Sequence, residues 1–457
     1  MSFLSDVPAS WKVLPRAFVG GTSLLRIPSS AAAPLLQVCE ALHKTQYESP
    51  EIIRLRQLAQ ARQILHFARK HTAYYGATLA DVEIDTACGS LDAWRSLPLL
   101  ARADIQTAGK SILPERLPIG HEVVGKIQTS GSTGQPVKAR KTNVSGLFYR
   151  AIAIREQLWH QRDITGKLAA IRANLEQGSH DSWGSAVSHL FQTGPFEALP
   201  FVDVAKQLAW LEKAQPNYLL TYPSNLQALL DAAEERGVTF DSLVEVRCIG
   251  ETLSSDLRRR CEQQWSVKVS DLYSSEEVGY IACECPDSGQ YHVMEENLIV
   301  EILRDDGEPC LPGEVGRVVV TDLHNFATPL IRYDIRDYAE VGEPCPCGRG
   351  LVTLNRILGR HRNMLKTPEG EVRWPLTGFH NFEDVAAIRQ YRFVQQELDL
   401  IEATLVVDEP LSPEQRDALD GIIRKSLQWN HRLVLVDQSE PLTVGANGKF
   451  EDFVSHV

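Results

Sequence analysis

Thr129-Ser130-Gly131-Ser132-Thr133-Gly134-Gln135-Pro136-Val137-Lys138 is the stretch on which the reading of this chain turns. Six of its ten residues are Gly, Ser or Thr, and it ends in a lysine. Residues 123–127, Val-Val-Gly-Lys-Ile, are predicted to be a strand leading in. Glycines admit positive φ and bring main-chain N–H groups close to an anion. Hydroxyls add donors, and Lys138 adds a point charge. The combination suits a polyphosphate. It is not a Walker A loop, in which about four residues separate the glycines and Lys-Ser/Thr follows the second. Here two residues separate Gly131 from Gly134, and Lys138 comes four later. Taken alone, the stretch also reads as a flexible polar surface loop.

Composition narrows the classes. A chain of 457 residues exceeds one ordinary core, so two or three domains are expected. A net charge of −12 argues against nucleic acid or an anionic membrane as the main partner, though not against a local basic pocket. No apolar run of about 18 residues exists, so no spanning helix is expected. The start, Met1-Ser2-Phe3-Leu4-Ser5-Asp6, has neither a basic nor an apolar leader region, so no signal peptide is expected. Nine cysteines, four of them in Cys283-Glu284-Cys285 and Cys345-Pro346-Cys347, suit a reduced, cytoplasmic protein with a metal site better than a disulfide scaffold.

Along the chain, residues 1–50 are weakly patterned. Residues 51–70 carry apolar side chains at helical spacing, with basic residues on the other face. His66 and His71 there read as surface or packing residues. A helix is predicted to start at 101–109, and another to span 144–158. Strands are predicted at 168–172, 217–221, 243–249 and 267–273, alternating with helices at 208–214, 225–236 and 254–264. Ser224 is placed as the cap of the second of these helices, and residues 177–184 as loop. Such alternation means a largely parallel sheet covered on both faces. Short alternating segments at 298–303, 316–321 and 332–341 then read as an antiparallel β region. From about Gly359 the pattern is a small α+β domain, with strands within 387–407 and 432–436 around a helix at 412–427. The expected fold class is α/β: a large N-terminal domain, 1–358, of mostly parallel sheets sandwiched by helices with a β-rich subdomain, then a small mobile C-terminal domain, 359–457.

These motifs, in this order, resemble the adenylate-forming enzymes (acyl-CoA synthetases, adenylation domains and luciferases), and most of all the phenylacetate–CoA ligase-like branch. Residues 129–138 resemble the phosphate loop. Residues 51–75 with Leu97-Pro98-Leu99 resemble the branch's amino-terminal region. Gly250-Glu251 resembles the adenine-side turn, and Asp271-Leu272-Tyr273-Ser274-Ser275-Glu276-Glu277-Val278 the Tyr-Gly-x-Ser/Thr-Glu segment. Arg332-Tyr333-Asp334-Ile335-Arg336-Asp337 resembles Arg-Tyr-x-x-x-Asp, and Arg356-Ile357-Leu358-Gly359-Arg360 the hinge. The likeness runs from about residue 50 to 452.

The resemblance implies ATP-dependent activation of an aromatic or other apolar carboxylic acid to an acyl-adenylate, with pyrophosphate release. Transfer to coenzyme A then follows, or transfer to an amine or a carrier-protein thiol. Thr129, Ser130, Gly131, Ser132, Thr133, Gly134 and Lys138 would hold the phosphates. Gly250, Glu251, Ser274 and Arg356 would line the nucleotide site. Tyr273 would stack on adenine, and Asp337 would accept both ribose hydroxyls. Glu277 would hold Mg2+, a hard cation that prefers oxygen ligands. Ser274 stands where Gly is usual and Glu276 where Ser or Thr is usual, so a one-residue slip would make Glu276 the ligand; Val278 in register favours Glu277. Lys449, in Asn447-Gly448-Lys449-Phe450, resembles the mobile domain's catalytic lysine, and Arg362 falls at the hinge pivot. His180, Trp183, Tyr222, Pro223 and Gly250 are placed by position in the acyl pocket. A homodimer is kept open, and no nucleic-acid or membrane partner is expected.

Cys283, Cys285, His292, Cys345 and Cys347 offer five candidate ligands, and tetrahedral zinc takes four. Some relatives in the branch resemble this pattern and bind structural zinc, which assigns Cys285, His292, Cys345 and Cys347 and leaves Cys283 spare. Free thiols in a reducing compartment are the other reading.

Overall fold

The computed structural model describes residues 3–20, 27–128, 137–172, 175–360, 365–370, 372–373, 382, 385–427, 431–440, 442 and 453–457. The apolar spacing of 51–70 becomes one helix, Pro50–His71. The Ser49 side chain caps it by accepting from the Ile52 amide, and Pro50 opens the first turn. Ile53, Leu58, Ala61, Ile64, Leu65 and Ala68 form its buried stripe. Gln57 is buried in the same stripe because its amide donates to the Glu295 and Leu298 carbonyls at 3.0 and 2.8 Å. The weakly patterned first fifty residues hold a further helix, Ala33–Thr45, whose Leu35, Leu36, Cys39 and Leu42 are buried. After the glycine-rich stretch comes the helix Asn143–Trp159, opened by reciprocal caps between Thr142 and Ser145.

Strands β1 (Val123–Gln128) and β2 (Lys138–Thr142) pair antiparallel, with Gln128 opposite Lys138. Twelve strands form one sheet among the described residues. They are β3 (Leu168–Ile171), β4 (Gly178–His180), β5 (Phe196–Leu199), β6 (Tyr218–Thr221), β7 (Glu245–Ile249) and β8 (Lys268–Ser275), then β9 (Gly279–Glu284), β10 (Tyr291–Val293), β11 (Leu298–Leu303), β12 (Val315–Asp322), β13 (Tyr333–Val341) and β14 (Thr353–Arg360). Their order is β11-β12-β13-β14-β10-β9-β8-β7-β6-β3-β5-β4. The run β5-β3-β6-β7-β8 is parallel, as the strand–helix alternation implied. From β8 onward the pairing turns antiparallel through the β8–β9 hairpin. The expected β-rich region is therefore continuous with the parallel sheet. Residues 177–184, read as loop, contain the short edge strand β4. The Ser224 cap is also corrected: the helix starts at Pro223, and Tyr222 stands at the N-cap position, where its side chain does not cap the helix. Ser224 lies inside the first turn, where the Glu251 carboxylate accepts from its amide and hydroxyl at 2.9 and 3.1 Å.

The chain divides into two compact units: residues 1–221, 240–250 and 267–358, and residues 222–239, 251–266 and 359–457. The second has its own core around Phe393, Ile401, Ala403, Leu405, Leu419 and Phe453. In it β17 (Ile388–Glu397), β18 (Leu400–Val407), β19 (Arg432–Gln438) and β20 (Phe453–Ser455) pair in the order β19-β18-β17-β20, while β15 (Leu365–Lys366) and β16 (Val372–Arg373) form a two-stranded ribbon. The helix Pro413–Leu427 lies between β18 and β19 along the chain. Among the described residues no helix is long and apolar enough to cross a membrane.

One polar cluster sits inside the first unit. The Arg162 side chain is 1% exposed and donates to Glu245 through Nε and Nη2 at 2.8 and 2.6 Å. Its Nη1 reaches Glu156 at 2.5 Å, and Arg247 holds the other Glu156 oxygen at 2.7 Å. Burial pushes the Glu245 carboxyl up, but Arg162, Ser270 and Arg247 together outweigh it and hold it at about 2. A second buried acid, Glu295, has the Val352 amide at 2.7 Å as partner. Burial dominates there, with Glu296 adding to it, and pushes Glu295 up to about 7 against the Val352 bond and Arg54.

Two outcomes follow from these groups. R162M strands the buried Glu245 carboxylate and leaves Glu156 to Arg247 alone, and is expected to cost roughly 3–5 kcal/mol in urea unfolding; a loss under about 1 kcal/mol would contradict the network's role. Folded Glu295 keeps its proton above its ordinary value near 4.5, so its contribution is complete below about 4.5 and is lost as pH rises through about 7. E295Q keeps an acceptor for Val352 and should remove that part of the decline. Parallel stability–pH curves for wild type and variant would refute it.

Candidate active site

The β8–β9 hairpin places the first group. Tyr273 lies near the end of β8, beside a register shift between Tyr273 and Ser274. Such bulges re-aim side chains at the ends of ladders, and this one falls at Ser274. The Tyr273 hydroxyl donates to the Asp337 carboxylate on β13 at 2.9 Å. In a flat sheet four strand spacings, roughly 19 Å, would separate β8 from β13. The sheet therefore curls, and the curl brings these two residues together.

Glu277 sits in the three-residue turn between Ser275 and Gly279 and is buried. Arg102 of the helix Arg102–Ala108 stands 3.6 Å from its carboxylate, and the Tyr333 hydroxyl donates to it at 3.4 Å. The Lys141 ammonium on β2 donates to the Glu277 carbonyl and lies 3.8 Å from the Asp322 carboxylate. Burial pulls Lys141 below its ordinary value, opposed by Asp322 and by Glu277 and Glu276. Arg332, with φ +48, turns away from this group to Glu301, bonding it at 3.0 Å through Nε and Nη2. The result is a half-closed acidic corner with cations at its back: Asp337 and Glu277 beside Tyr273, Tyr333, Arg102 and Lys141. It can accept hydroxyl donors or a hard cation. Arg102 and Lys141 escaped the sequence reading. Lys141 was legible, since strand alternation puts it on the face of Val137 and Ala139, both buried.

The other expected residues divide. Lys138 is exposed at the start of β2. Gly250, with φ +75, follows the C-terminal end of β7, where open α/β sheets bind ligands. The Glu251 carboxylate is engaged at the first turn of the Pro223–Arg236 helix. Arg356 on β14 bonds Glu340 at 2.6 Å. Tyr222, buried, follows the C-terminal end of β6. His180 and Trp183 are not brought to this corner. Their neighbours Phe196 and Tyr218 lie in the row Phe196–Leu168–Tyr218–Glu245–Lys268, at the N-terminal end of the parallel strands. Trp183 packs edge-on to Tyr218 at 5.3 Å and donates to the Gly166 carbonyl at 2.9 Å; His180 stacks on Phe196 on the edge strand. Tyr273 is five residues further along β8, roughly 17 Å away. Thr129, Ser130, Gly131, Ser132, Thr133, Gly134, Arg362 and Lys449 lie outside the described residues.

The cysteines form a second centre. The ligand atoms of Cys285, His292, Cys345 and Cys347 all lie within 4.8 Å of one another. Cys285 and Cys345 sulfurs are 3.7 Å apart, and His292 Nε2 is 3.2 Å from Cys347 Sγ. Two zinc–sulfur bonds of about 2.3 Å at a tetrahedral angle put sulfurs about 3.8 Å apart, so the four residues fit zinc. His292 Nδ1–H donates to the Leu351 carbonyl at 3.3 Å, which leaves the Nε2 lone pair facing the sulfurs. Gly348, with φ +84, turns the Cys345–Cys347 loop, and a Cβ on Gly350 would sit 1.9 Å from the Glu48 carbonyl. Burial pushes all three thiols up. Hydrogen bonds from His292 and residues 287–288 bring Cys285 below its ordinary value, and the Arg349 amide, Cys345 and the Arg349 guanidinium do so for Cys347, leaving Cys345 raised. Cys283 packs in the core instead.

No protein-family model matches the chain. A phenylacetate–coenzyme A ligase of Thermus thermophilus is 27% identical over 337 residues, 69% of this chain and 72% of that protein. One of Pseudomonas putida is 29% identical over 168 residues, 35% of this chain and 37% of that protein, so the match spans less than half of it. Among solved structures, a 2-hydroxyisobutyryl-CoA ligase in the postadenylation state superposes with a TM-score of 0.69 at 18% identity, covering 87% of this chain and 88% of that one, a likeness of fold. In sequence the chain is similar to phenylacetate–coenzyme A ligases, and in fold it is like the 2-hydroxyisobutyryl-CoA ligase.

Proposed function

We propose that the protein activates a carboxylic acid with ATP and transfers the acyl group to coenzyme A. The carboxylate attacks the α-phosphorus, pyrophosphate leaves, and the coenzyme A thiolate then displaces AMP from the acyl-adenylate. The single observation that carries this reading is the Tyr273–Asp337 contact at the curl of the sheet, with Glu277 in the adjoining turn. A flat aromatic face and a two-acceptor carboxylate held together suit adenine and ribose. Because both reactants are anionic, catalysis of this kind is positioning plus cationic stabilisation. Residues 129–138 would bind the phosphates, and Lys449 of the C-terminal domain, from 359 onward, would approach the reacting oxygens. Glu277 would hold Mg2+, which when bound neutralises phosphate charge. Arg102 and Tyr333 fix the direction of that carboxylate. Gly250 and Tyr222, at the C-terminal strand ends, are better placed for the acyl group than His180 and Trp183. A setting that supplies ATP, coenzyme A and reduced thiols is the cytoplasm. Cys285, His292, Cys345 and Cys347 would hold a structural zinc, since four protein ligands leave no open position.

ATP–pyrophosphate exchange with a panel of aromatic and aliphatic carboxylic acids tests the first step, and product mass with coenzyme A or an amine added tests the acceptor. D337A should lower kcat/KM for ATP by roughly 10- to 100-fold, the worth of a lost charged hydrogen bond. Exchange with none of the acids, or undiminished exchange in D337A, would sink the corresponding claim. Purified protein should contain close to one zinc per chain; a content near zero refutes the metal assignment.

A further inference from the structure

Resting on the zinc reading above, we propose that Arg349 is the charge-compensating residue of the Cys3His centre, and that it locks this centre to the amino-terminal helices. Zinc with three thiolates and a neutral imidazole carries one net negative charge. Such a centre, buried among Cys285, His292 and Cys345, is costly unless a cation answers it. Arg349 is two residues beyond Cys347 and its side chain is only 10% exposed. Its Nη1 stands 3.9 Å from Cys285 Sγ. Asp287 competes for the same Nη1 at 3.7 Å, but its side chain is 63% exposed and its pull is screened by water.

The rest of the guanidinium faces away from the sulfurs. Nε donates to Gln46 Oε1 at 3.3 Å, and the same oxygen accepts from the Trp159 indole N–H at 2.9 Å. The guanidinium carbon lies over the Trp159 ring, 4.4 Å from its centroid, a desolvated cation–π contact. Gly350 donates to the Gln46 carbonyl at 2.8 Å. One side chain thus joins the sulfur ligands to residue 46, just past the Ala33–Thr45 helix, and to the last residue of the Asn143–Trp159 helix. Lysine cannot replace it, since a point charge lacks the fork that meets sulfur, amide oxygen and ring at once.

Zinc affinity, measured by competition with a chromophoric chelator, tests the proposal without reference to activity. R349M should bind zinc 10- to 100-fold more weakly than wild type, the usual cost of losing a residue behind the ligands. R349K should lose several-fold and reads the effect should R349M not fold. Hydrogen exchange supplies the second readout: removing zinc from the wild type should speed exchange at Gly350, and R349M should show that faster exchange with zinc present. Wild-type affinity in R349M, or in R349K when only R349K folds, overturns the proposal and leaves the zinc reading standing. A wild-type protein that binds no zinc overturns both.

Discussion

The buried guanidinium of Arg162 is the joint on which the first unit depends. It ties Glu156, on the helix that follows the glycine-rich stretch, to Glu245 at the start of β7, and it reaches Ser270 on β8 at 3.0 Å. Two carboxylates and two guanidinium groups cancel one another out of water, so each is tolerated only while the others stay. The arrangement sets the Asn143–Trp159 helix against β7, which leads to Gly250, and β8, which carries Tyr273. A hydrophobic contact there could slide; a forked ion cluster cannot without leaving a charge unpaired.

The second constraint is curvature. Parallel strands β3 and β5 to β8 form one part of the sheet, and the strands β9 to β14 bend it until β13 reaches β8. The bulge at Tyr273 and the tight turn at Glu276-Glu277-Val278 stand where the pairing changes sense. The acidic corner is therefore built by the seam between two kinds of sheet. Its cations, Arg102 and Lys141, come from elements outside that sheet. Burial of Lys141 without a paired carboxylate at short range is tolerable because its ammonium bonds a main-chain oxygen and stands near Asp322. The cysteine–histidine cluster is built differently, from Cys285 just after β9, His292 on β10 and the Cys345–Cys347 loop, with Arg349 bonded to Gln46 beside it.

Much of the fold was legible because the signals are local. Apolar period and caps mark the Pro50–His71 and Asn143–Trp159 helices, and strand–helix alternation marks the parallel run. The helix Ala33–Thr45 was missed because Pro34 and an alanine-rich start blur its period. The edge strand β4 was missed because three polar residues carry no alternation. In the site, Tyr273, Glu277, Asp337 and the four metal-ligand candidates were legible from motif and residue type. His180 and Trp183 were placed by sequence distance alone, and sequence distance says nothing about which end of a strand a loop returns to.

By itself the sequence determined which chemical groups the chain offers: carboxylates, a cluster of sulfurs with an imidazole, and a glycine-rich stretch. It also determined the alternation that makes the sheet parallel. The tertiary structure alone decided that Tyr273 meets Asp337, that Glu277 is backed by Arg102 and Lys141, and that Arg349 faces both sulfur and Trp159. The reason is physical. Residue type and short-range pattern fix chemistry and local geometry, whereas the meeting of β8 with β13 depends on the summed twist and curl of every strand between them.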